Sequence, residues 1–372
     1  MINIKLKKIN YLVITTIILF FLYSITTIYS ISTKPYTLLT KQVTWYILGF
    51  IILIIISKIN INKLIDNNKY LYIFMNILLL LLLFFGTEIN GSKCWFNFFN
   101  IISFEPSEFM KIALIIMNAN IINWYDTKYK NKNIKTDLIL FTLILISTLI
   151  PSILTFLEPD TGMVIIYFLI SFIMLFIYGI KLSIFVILSI IIIIFLGIFI
   201  FIYTNYQDTF INIFGTSFFY RIDRLINWSN KSGMQITNAL AAIKSAYIFG
   251  FGIKNTPIYI PESHTDFIFS VYASNFGLVG SLLLIITIII FDISLLYIYN
   301  KTSNNRLKYI TSGFLGMILF QQIENIGMNI GILPITGITL PFISYGGSSL
   351  LSNIIILSII LNLFNVNQKN KY

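Results

Sequence analysis

Long apolar runs separated by short polar stretches follow one another along the whole chain. A run of about 18 or more uncharged residues, at about 1.5 Å of rise per residue, is long enough to cross about 30 Å of hydrocarbon as a helix. The pattern therefore predicts an all-α polytopic membrane protein with about ten transmembrane helices. The predicted spans begin near Tyr11, Val43, Leu71, Pro106, Leu138, Thr161, Leu182, Phe267, Tyr309 and Pro341.

We treat residues 1–372 as a single transmembrane domain, with one long outer loop at about 205–264 between spans seven and eight. The eighth run, from Phe267 to Tyr299, is longer than a straight crossing requires. Gly277 and Gly280 are therefore predicted to break this helix or to pack closely. The first run follows a basic stretch but lacks a small-residue cleavage site, so we expect it to be a retained helix.

The distribution of Lys and Arg predicts the orientation in the membrane. Ten crossings place both termini on the same side. With a cytoplasmic N-terminus, the inner segments carry 16 Lys or Arg and the short outer loops only 3. Translocated short loops avoid positive charge, so both termini are expected to be cytoplasmic.

The composition excludes several classes of protein. Of the 372 residues, 57% are hydrophobic and 10% are charged, which is far from the balance of a soluble domain. One Cys and one His exclude an internal disulfide and a histidine-based metal cluster. The net charge of +11 lies in short loops between apolar runs, so it indicates membrane topology and no nucleic-acid partner.

The predicted topology places the unusual polar segments on the outer side. These are residues 91–95, 158–160, 261–266 and 333–349. Asp266, close to the only histidine, His264, stands at the edge of hydrocarbon. An acid there is costly to desolvate and is rare unless it is paired, faces a wet cavity or takes part in chemistry.

Each candidate also has a purely structural interpretation. Asp266 and His264 could be a helix N-cap and a surface residue, and Asp160 could cap span six. Glu108 and Lys111, three residues apart, lie on one helix face and could form a structural ion pair.

Trp95 could be an interfacial aromatic anchor. Gly346 and Gly347 allow the backbone to approach other groups closely near the end of the last span.

The chain resembles the SEDS family, named for shape, elongation, division and sporulation, over nearly its whole length. Four ordered blocks carry the resemblance. Within the family, two further segments are more similar to the RodA branch, Asn325-Ile326-Gly327-Met328 and Leu333-Pro334-Ile335-Thr336-Gly337-Ile338. The blocks are Gly91-Ser92-Lys93-Cys94-Trp95 with Phe104-Glu105-Pro106-Ser107-Glu108-Phe109-Met110-Lys111, then Leu157-Glu158-Pro159-Asp160-Thr161-Gly162, Pro261-Glu262-Ser263-His264-Thr265-Asp266-Phe267-Ile268-Phe269, and Leu340-Pro341-Phe342-Ile343-Ser344-Tyr345-Gly346-Gly347-Ser348-Ser349-Leu350.

This resemblance implies a peptidoglycan glycosyltransferase in the bacterial cytoplasmic membrane. Such an enzyme polymerises lipid II, an undecaprenyl-diphosphate-linked disaccharide peptide, at the outer face and releases undecaprenyl diphosphate. The RodA branch implies a role in cell elongation and rod shape. The implied partners are a class B penicillin-binding protein, which is a transpeptidase, and the elongation machinery.

The resemblance also implies roles for individual residues. Asp266 corresponds to the family's functional aspartate and is the candidate general base. Lys111, Arg221 and Arg224 are candidate partners of the diphosphate. A divalent cation, Mg²⁺ or Mn²⁺, could serve instead through ligands that stay unknown, and no organic cofactor is implied. The candidate substrate-binding residues are Trp95, Glu108, Lys111, Asp160, Arg221, Arg224, Glu262, His264, Thr265, Ser344, Gly346 and Gly347.

Four residues depart from the family pattern near these blocks. Glu105 and Glu158 stand where the family usually has glutamine, and Ser274 and Asn275 replace two acids. Two other functions stay open beside polymerisation. A transporter of the lipid-linked precursor would use the same cavity without forming a bond. A scaffold for a transpeptidase would not need Asp266.

Overall fold

The computed structural model describes residues 2–89, 92–98, 102–130, 132–216, 219 and 233–369. Long helices dominate these residues, as the sequence predicts. The helices are α1 (Ile2–Ile31), α2 (Thr37–Lys58), α3 (Asn62–Asp66), α4 (Asn68–Phe85), α5 (Pro106–Lys128), α6 (Ile134–Leu157), α7 (Thr161–Tyr178), α8 (Leu182–Asn205), α9 (Gln207–Phe214), α10 (Met234–Ser245), α11 (Ile268–Lys301), α12 (Asn305–Asn329) and α13 (Gly347–Lys369).

Within the described residues, eight helices are long and apolar enough to cross a membrane, which confirms a helical polytopic membrane fold. Two further long helices, α5 and α12, coincide with the predicted fourth and ninth spans but carry more polar residues. These polar residues are tolerated because α5 and α12 lie inside the bundle. Helix α5 contacts α4, α6, α7, α12 and α13.

Small residues allow α12 to pack closely against α7. A Cβ at Gly313 would lie 2.8 Å from the Sδ of Met174, and one at Gly316 would lie 2.4 Å from the Cδ1 of Ile173. Small residues at such crossings are typical of membrane helices, because close packing supplies much of their attraction.

A small antiparallel sheet departs from the all-helical expectation. Its strands are β1 (Thr87–Ile89), β2 (Ser92–Phe98) and β3 (Ile102–Phe104), in the order β1-β2-β3. Residues Phe96 and Phe104 are paired across β2 and β3. The sheet leads into α5, whose first residue is Pro106, a residue suited to the first turn of a helix.

The last span begins later than predicted. Helix α13 begins at Gly347 rather than at Pro341, because residues 341–346 are not helical. The Ser344 hydroxyl accepts a hydrogen bond from the Leu340 N–H at 2.9 Å, which gives this backbone a partner outside a helix. A Cβ at Gly347 would lie 2.4 Å from the ring of Trp45, so glycine permits the close approach of α13 to α2.

The segment predicted as a long outer loop contains two helices, α9 and α10, among its described residues. After α10, residues 247–252 lie against α11 at Gly277, where φ is 62° and ψ is −158°. Gly277 therefore breaks the helix, as predicted. A Cβ at Gly280 would lie 2.2 Å from that of Phe276, which fits the predicted close packing.

Four backbone hydrogen bonds satisfy groups that the break releases from the helix. The N–H groups of residues 251 and 252 donate to the carbonyls of residues 274 and 275, at 3.0 Å each. Beyond the break, the N–H groups of residues 278 and 279 donate to the carbonyls of residues 247 and 248, at 3.0 and 3.1 Å. A broken helix in an apolar bundle requires such partners.

We predict that Gly277→Ala destabilises the fold. The substitution places a side chain in a left-handed conformation, which costs on the order of 1–3 kcal/mol. The new Cβ would also lie 2.5 Å from the Gly250 nitrogen. Melting temperature in detergent is the measurement. The control is Gly197→Ala on α8, where a Cβ meets no atom within 4 Å. Equal melting temperatures for the two variants would contradict this account of the break.

Candidate active site

Residues 261–267 form a non-helical segment that holds Asp266 against α12. The Asp266 carbonyl accepts hydrogen bonds from the side-chain amides of Asn325 and Asn329, both at 2.9 Å. Asn329 also accepts from the Ser270 N–H at 3.0 Å, which fixes the first turn of α11. The N-cap of α11 is Phe267, without a side-chain capping bond, so the interpretation of Asp266 as the N-cap is wrong.

The segment that precedes α13 packs against the residues next to Asp266. The Ser344 hydroxyl donates to the Thr265 carbonyl at 2.7 Å, and the Tyr345 N–H donates to the His264 carbonyl at 2.8 Å. The rings of His264 and Tyr345 are 5.6 Å apart. The Gly346 N–H donates to the side-chain oxygen of Gln42 at 3.4 Å. Two candidate segments far apart in sequence are thereby joined.

The contacts of the neighbouring Ser344 place half-buried Asp266 below the end of α1. The side-chain amide of Gln42 donates both to the Ser344 carbonyl and to the Ser24 hydroxyl. Ser24 lies two turns before the end of α1 at Ile31, which places this level roughly 10 Å below that end. This depth suits a reacting group close to the surface of a bilayer.

Burial and charge alter the acid–base properties of this segment. Burial, followed by repulsion from Glu262, raises the pKa of Asp266 to about 6. A hydrogen bond from Thr265 opposes this rise. Burial lowers the pKa of His264, so its ring is neutral at neutral pH. Asp266 can therefore accept a proton close to neutral pH, as a general base must.

Glu108 and Lys111 form a buried ion pair on α5. The Lys111 Nζ lies 2.5 Å from the Glu108 Oε2, and the two side chains are 1% and 3% exposed, respectively. The Ser352 hydroxyl on α13 donates to the same carboxylate oxygen at 3.1 Å. The ion pair is the structural pair considered from the sequence. The hydrogen bond from Ser352 joins α5 to α13.

Trp95 and Glu105 form a second polar contact at the start of α5. The indole Nε1 of Trp95 donates to the Glu105 Oε2 at 3.1 Å, so this tryptophan has a specific partner. The Glu105 N–H donates to the Ser348 hydroxyl at 3.1 Å. Burial, with repulsion from Glu108 and Asp160, raises the pKa of Glu105 well above its usual range.

Asp160 is the N-cap of α7 and accepts a hydrogen bond from the Met163 N–H at 3.1 Å, so the capping interpretation is correct. The following turn lies against residues 336–338, because a Cβ at Gly162 would lie 3.4 Å from the Thr336 carbonyl. The same segment borders Asp266, whose Oδ2 is 3.7 Å from a Cβ placed at Gly337. Residues 336–338 therefore lie close both to the start of α7 and to Asp266.

Glu158, just before Asp160, is fully buried, and both of its carboxylate oxygens lack a hydrogen-bond partner within the described residues. Burial is the largest cause that raises its pKa to about 9, followed by repulsion from Asp160 and Glu105. Glu158 is therefore protonated at neutral pH, which makes it close in charge to the glutamine usual at this position.

The structure brings most of the candidate residues to one end of the bundle. Helix α13 and the residues before it contact both the Asp266 segment and the start of α5. Arg221 and Arg224 lie outside the described residues.

Sequence reasoning missed the supporting side chains Gln42, Asn329 and Ser352, and it missed Glu324. An ionisable or amide residue inside a predicted span is the pattern that could have revealed Glu324 and Asn329.

Among the residues described, no three His, Cys, Asp or Glu side chains gather in a way that could hold a metal ion. These residues therefore do not by themselves provide a site for Mg²⁺ or Mn²⁺, and no step below is routed through a cation.

The family of the chain follows from its sequence as a whole. The model of the Cell cycle protein family, which includes FtsW, RodA and SpoVE, matches residues 5–369. This chain belongs to that family. With its membrane-spanning helices, it is a multi-pass membrane protein of a bacterial family.

Two curated relatives are named probable peptidoglycan glycosyltransferase FtsW. The protein from Buchnera aphidicola subsp. Schizaphis graminum is 30% identical, over 88% of this chain and 91% of its own length. The protein from Wigglesworthia glossinidia brevipalpis is 32% identical, over 89% and 85%. These names fit the division branch better than the RodA branch that the sequence motifs favoured.

Two solved structures are similar to the chain. One belongs to work on the structural coordination of polymerization and crosslinking by a peptidoglycan synthase complex, with a TM-score of 0.77, 25% identity and 97% of both chains covered. The other is the rod shape determining protein RodA of Thermus thermophilus, with a TM-score of 0.67 and 23% identity over 97% of this chain and 96% of that one. The second likeness establishes the fold alone.

We predict that Lys111→Met destabilises the protein by about 3–5 kcal/mol, because it leaves the Glu108 carboxylate buried and unpaired. The double variant Glu108→Gln with Lys111→Met should recover most of the loss, since no charge remains. Melting temperature in detergent is the measurement for both.

The control is Lys132→Met. It removes an exposed ion pair with Asp126, in which the Lys132 side chain is 47% exposed. Such a pair contributes about 0–1 kcal/mol. A loss for Lys111→Met as small as that of the control would show that the buried pair does not stabilise the bundle.

Proposed function

We propose that this chain is a peptidoglycan glycosyltransferase that polymerises lipid II at the outer face of the bacterial cytoplasmic membrane. The observation that carries the proposal is the position of Asp266. Asp266 is half-buried at one end of the bundle. Its carbonyl accepts hydrogen bonds from Asn325 and Asn329, and Ser344 donates to the preceding carbonyl, that of Thr265. The names of the relatives support the same reaction class.

In the proposed reaction, the Asp266 carboxylate accepts the proton of the acceptor sugar's 4-hydroxyl. The hydroxyl oxygen forms a bond to the anomeric carbon of the donor. The bond from that carbon to the lipid diphosphate breaks, and the diphosphate leaves with the electron pair. A base whose pKa lies near the working pH combines a sufficient ionised fraction with proton affinity.

The remaining candidates surround this step in supporting roles. Glu262, His264 and Thr265 shape the segment that carries Asp266, and Ser344 with Gly346 supports it from the other side. Trp95 and Asp160 are proposed to contact a sugar or the peptide of the substrate. Gly347 permits the approach of α13. Arg221 and Arg224 are proposed to bind the leaving diphosphate through charge-assisted hydrogen bonds.

We propose that the chain acts together with a class B penicillin-binding protein. The support is the likeness to a chain from a peptidoglycan synthase complex. For the cellular role, the FtsW names of the relatives favour division, whereas the sequence motifs favoured elongation and the elongation machinery.

We predict that Asp266→Asn lowers the rate of lipid II polymerisation by about 10²- to 10⁴-fold, the usual contribution of a general base. The measurement is glycan formation by the purified complex with its transpeptidase. The control is Asp292→Asn, which alters a buried acid on α11 that accepts a hydrogen bond from the Gln322 side chain at 3.2 Å. Normal polymerisation by Asp266→Asn would exclude this mechanism and favour a scaffold, whereas precursor transport without polymerisation by the wild type would favour a transporter.

The wild-type rate should fall as the pH drops below about 6, because Asp266 must be ionised to accept a proton. The stability of the fold changes with pH in the opposite direction to the rate. A folded-state pKa raised above the usual value means that ionising Asp266 costs stability as the pH rises from about 4 to about 6. Asp266→Asn should therefore melt no lower than the wild type at neutral pH, which separates lost chemistry from lost folding.

A further inference from the structure

A groove lies on the surface of the bundle where α4, α5 and α6 meet, at the end opposite the candidate active site. Helix α5 begins beside Ser348 and ends at Lys128, so its last turns lie about 30 Å from its start. The groove has a volume of about 330 Å³. The predicted orientation of the chain places this end at the cytoplasmic surface of the membrane. The proposed polymerase reaction does not use this groove.

The polarity of the groove changes along its length. Lys69, in the first turn of α4, and Trp124, near the end of α5, line its outer part. Met117 lines the groove two turns before Trp124, which is about 10 Å deeper in the bundle. Ile121 and Leu143 extend the same apolar wall. The groove is therefore cationic near the helix ends and apolar at greater depth.

The groove opens toward the apolar outer surface of the bundle. Ile146 lies one turn beyond Leu143 on the same face of α6, and its side chain is exposed. In a membrane protein, exposed apolar side chains of this kind contact acyl chains. On the other side, the Asn120 side-chain amide donates to the Ile65 carbonyl at 2.7 Å, which joins α5 to α3 beside the groove.

Two lysines at the groove have aromatic neighbours. The Lys69 Nζ lies 5.0 Å from the centroid of the Tyr70 ring, and the Lys128 Nζ lies 4.6 Å from that of Trp124. Neither lysine takes part in an ion pair within the described residues. Their ammonium groups are exposed at the mouth of the groove and can bind an anion.

The acids closest to these lysines in the chain are paired with other cations. Asp66, which lines the groove, lies 2.5 Å from the Arg306 guanidinium. Asp126, two residues before Lys128, lies 2.8 Å from the Lys132 Nζ. The groove therefore presents positive charge at its outer part even though one acid lines it.

We propose that this groove binds one anionic phospholipid from the leaflet at this end of the bundle. Its phosphate contacts Lys69 and Lys128, and one acyl chain lies along Ile121, Met117 and Leu143. Charge and polarity both fit, because the phosphate is at the level of the helix ends and the chain at the apolar depth. Basic pockets between membrane helices bind such headgroups. The inference is independent of the polymerase function.

The test is lipid binding by the purified protein in detergent, measured by native mass spectrometry. Phosphatidylglycerol is the anionic probe and phosphatidylcholine the zwitterionic one. The wild type should retain one phosphatidylglycerol under conditions that remove phosphatidylcholine. Lys69→Gln with Lys128→Gln should weaken phosphatidylglycerol binding by about thirtyfold, since each lysine near a membrane surface contributes about fivefold. Unchanged binding by this double variant would overturn the proposal.

Ile121→Trp tests the apolar part of the groove. The larger side chain fills the groove without altering a charge, so the retained phosphatidylglycerol should be lost. Unchanged retention would overturn the groove as the site, because headgroup charge alone would then account for binding. Ile121→Phe, a smaller enlargement, replaces this variant if the melting temperature shows that Ile121→Trp does not fold.

The matched control is Lys58→Gln with Lys301→Gln. It removes the same charge from the ends of α2 and α11, outside the groove, and Lys301 also lies over an aromatic ring, that of Tyr297. Its phosphatidylglycerol binding should match that of the wild type. Equal weakening in the control and in Lys69→Gln with Lys128→Gln would overturn the proposal, because any surface lysine would then serve.

Two further outcomes would also overturn it. Equal retention of the two lipids by the wild type would show that the groove does not select anionic headgroups. Displacement of the bound lipid by the transpeptidase would assign the groove to a protein partner instead.

Melting temperature gives a second measurement, because a ligand that binds only the folded state stabilises it. Added phosphatidylglycerol should raise the melting temperature of the wild type and of the control. It should raise that of Lys69→Gln with Lys128→Gln by less. An equal rise in all three proteins would contradict specific binding at the groove.

Discussion

Non-helical backbone inside an apolar bundle needs hydrogen-bond partners, and this requirement organises the candidate active site. The segment that carries Asp266 has few partners of its own, since it belongs to neither a helix nor a strand. Side-chain amides of Asn325 and Asn329 and the hydroxyl of Ser344 supply them. These three residues thus satisfy the backbone and at the same time fix the position of the carboxyl. An apolar α12 would leave the Asp266 carbonyl without these donors.

The same requirement accounts for the long segment before Asp266. The break at Gly277 leaves backbone N–H and carbonyl groups on both sides without helical partners. Residues 247–252 form hydrogen bonds with these groups. Only glycine fits where the two backbones meet, because a Cβ at Gly250 would lie 2.4 Å from the Asn275 carbonyl oxygen. Helix α11, which begins beside the proposed base, is therefore positioned by residues 247–252. The apolar pattern of the sequence predicts only a loop there.

Much of this architecture could be predicted from the sequence, because apolar length and turn residues are local properties. The spans beginning at Pro106, Thr161 and Leu182 have the predicted starts. The sheet at residues 87–104 was missed, since its short strands pair with one another only after the chain has folded back. The start of α13 was predicted too early. The Ser344 hydroxyl donates a hydrogen bond to the carbonyl of Thr265, a partner distant in sequence, and Ser344 therefore lies outside the helix. Glu324 was not predicted, because it lies within a span and the acids that the sequence pattern singles out stand in or next to loops.

The balance of charge in the site limits where the leaving diphosphate can be stabilised. Lys111 was considered from the sequence as a partner of the diphosphate, but its ammonium is 1% exposed and already paired with Glu108. Withdrawing it from that pair would leave a buried carboxylate alone, at a cost of about 3–5 kcal/mol, which exceeds the about 1.5–3 kcal/mol that a hydrogen bond to a charged group contributes. Nearby, Glu105, Glu158 and Asp266 are acids whose pKa values burial raises, so they can lower their own charge by holding protons. Lys111 therefore stabilises the bundle, and in the proposed reaction the cationic role is assigned to Arg221 and Arg224.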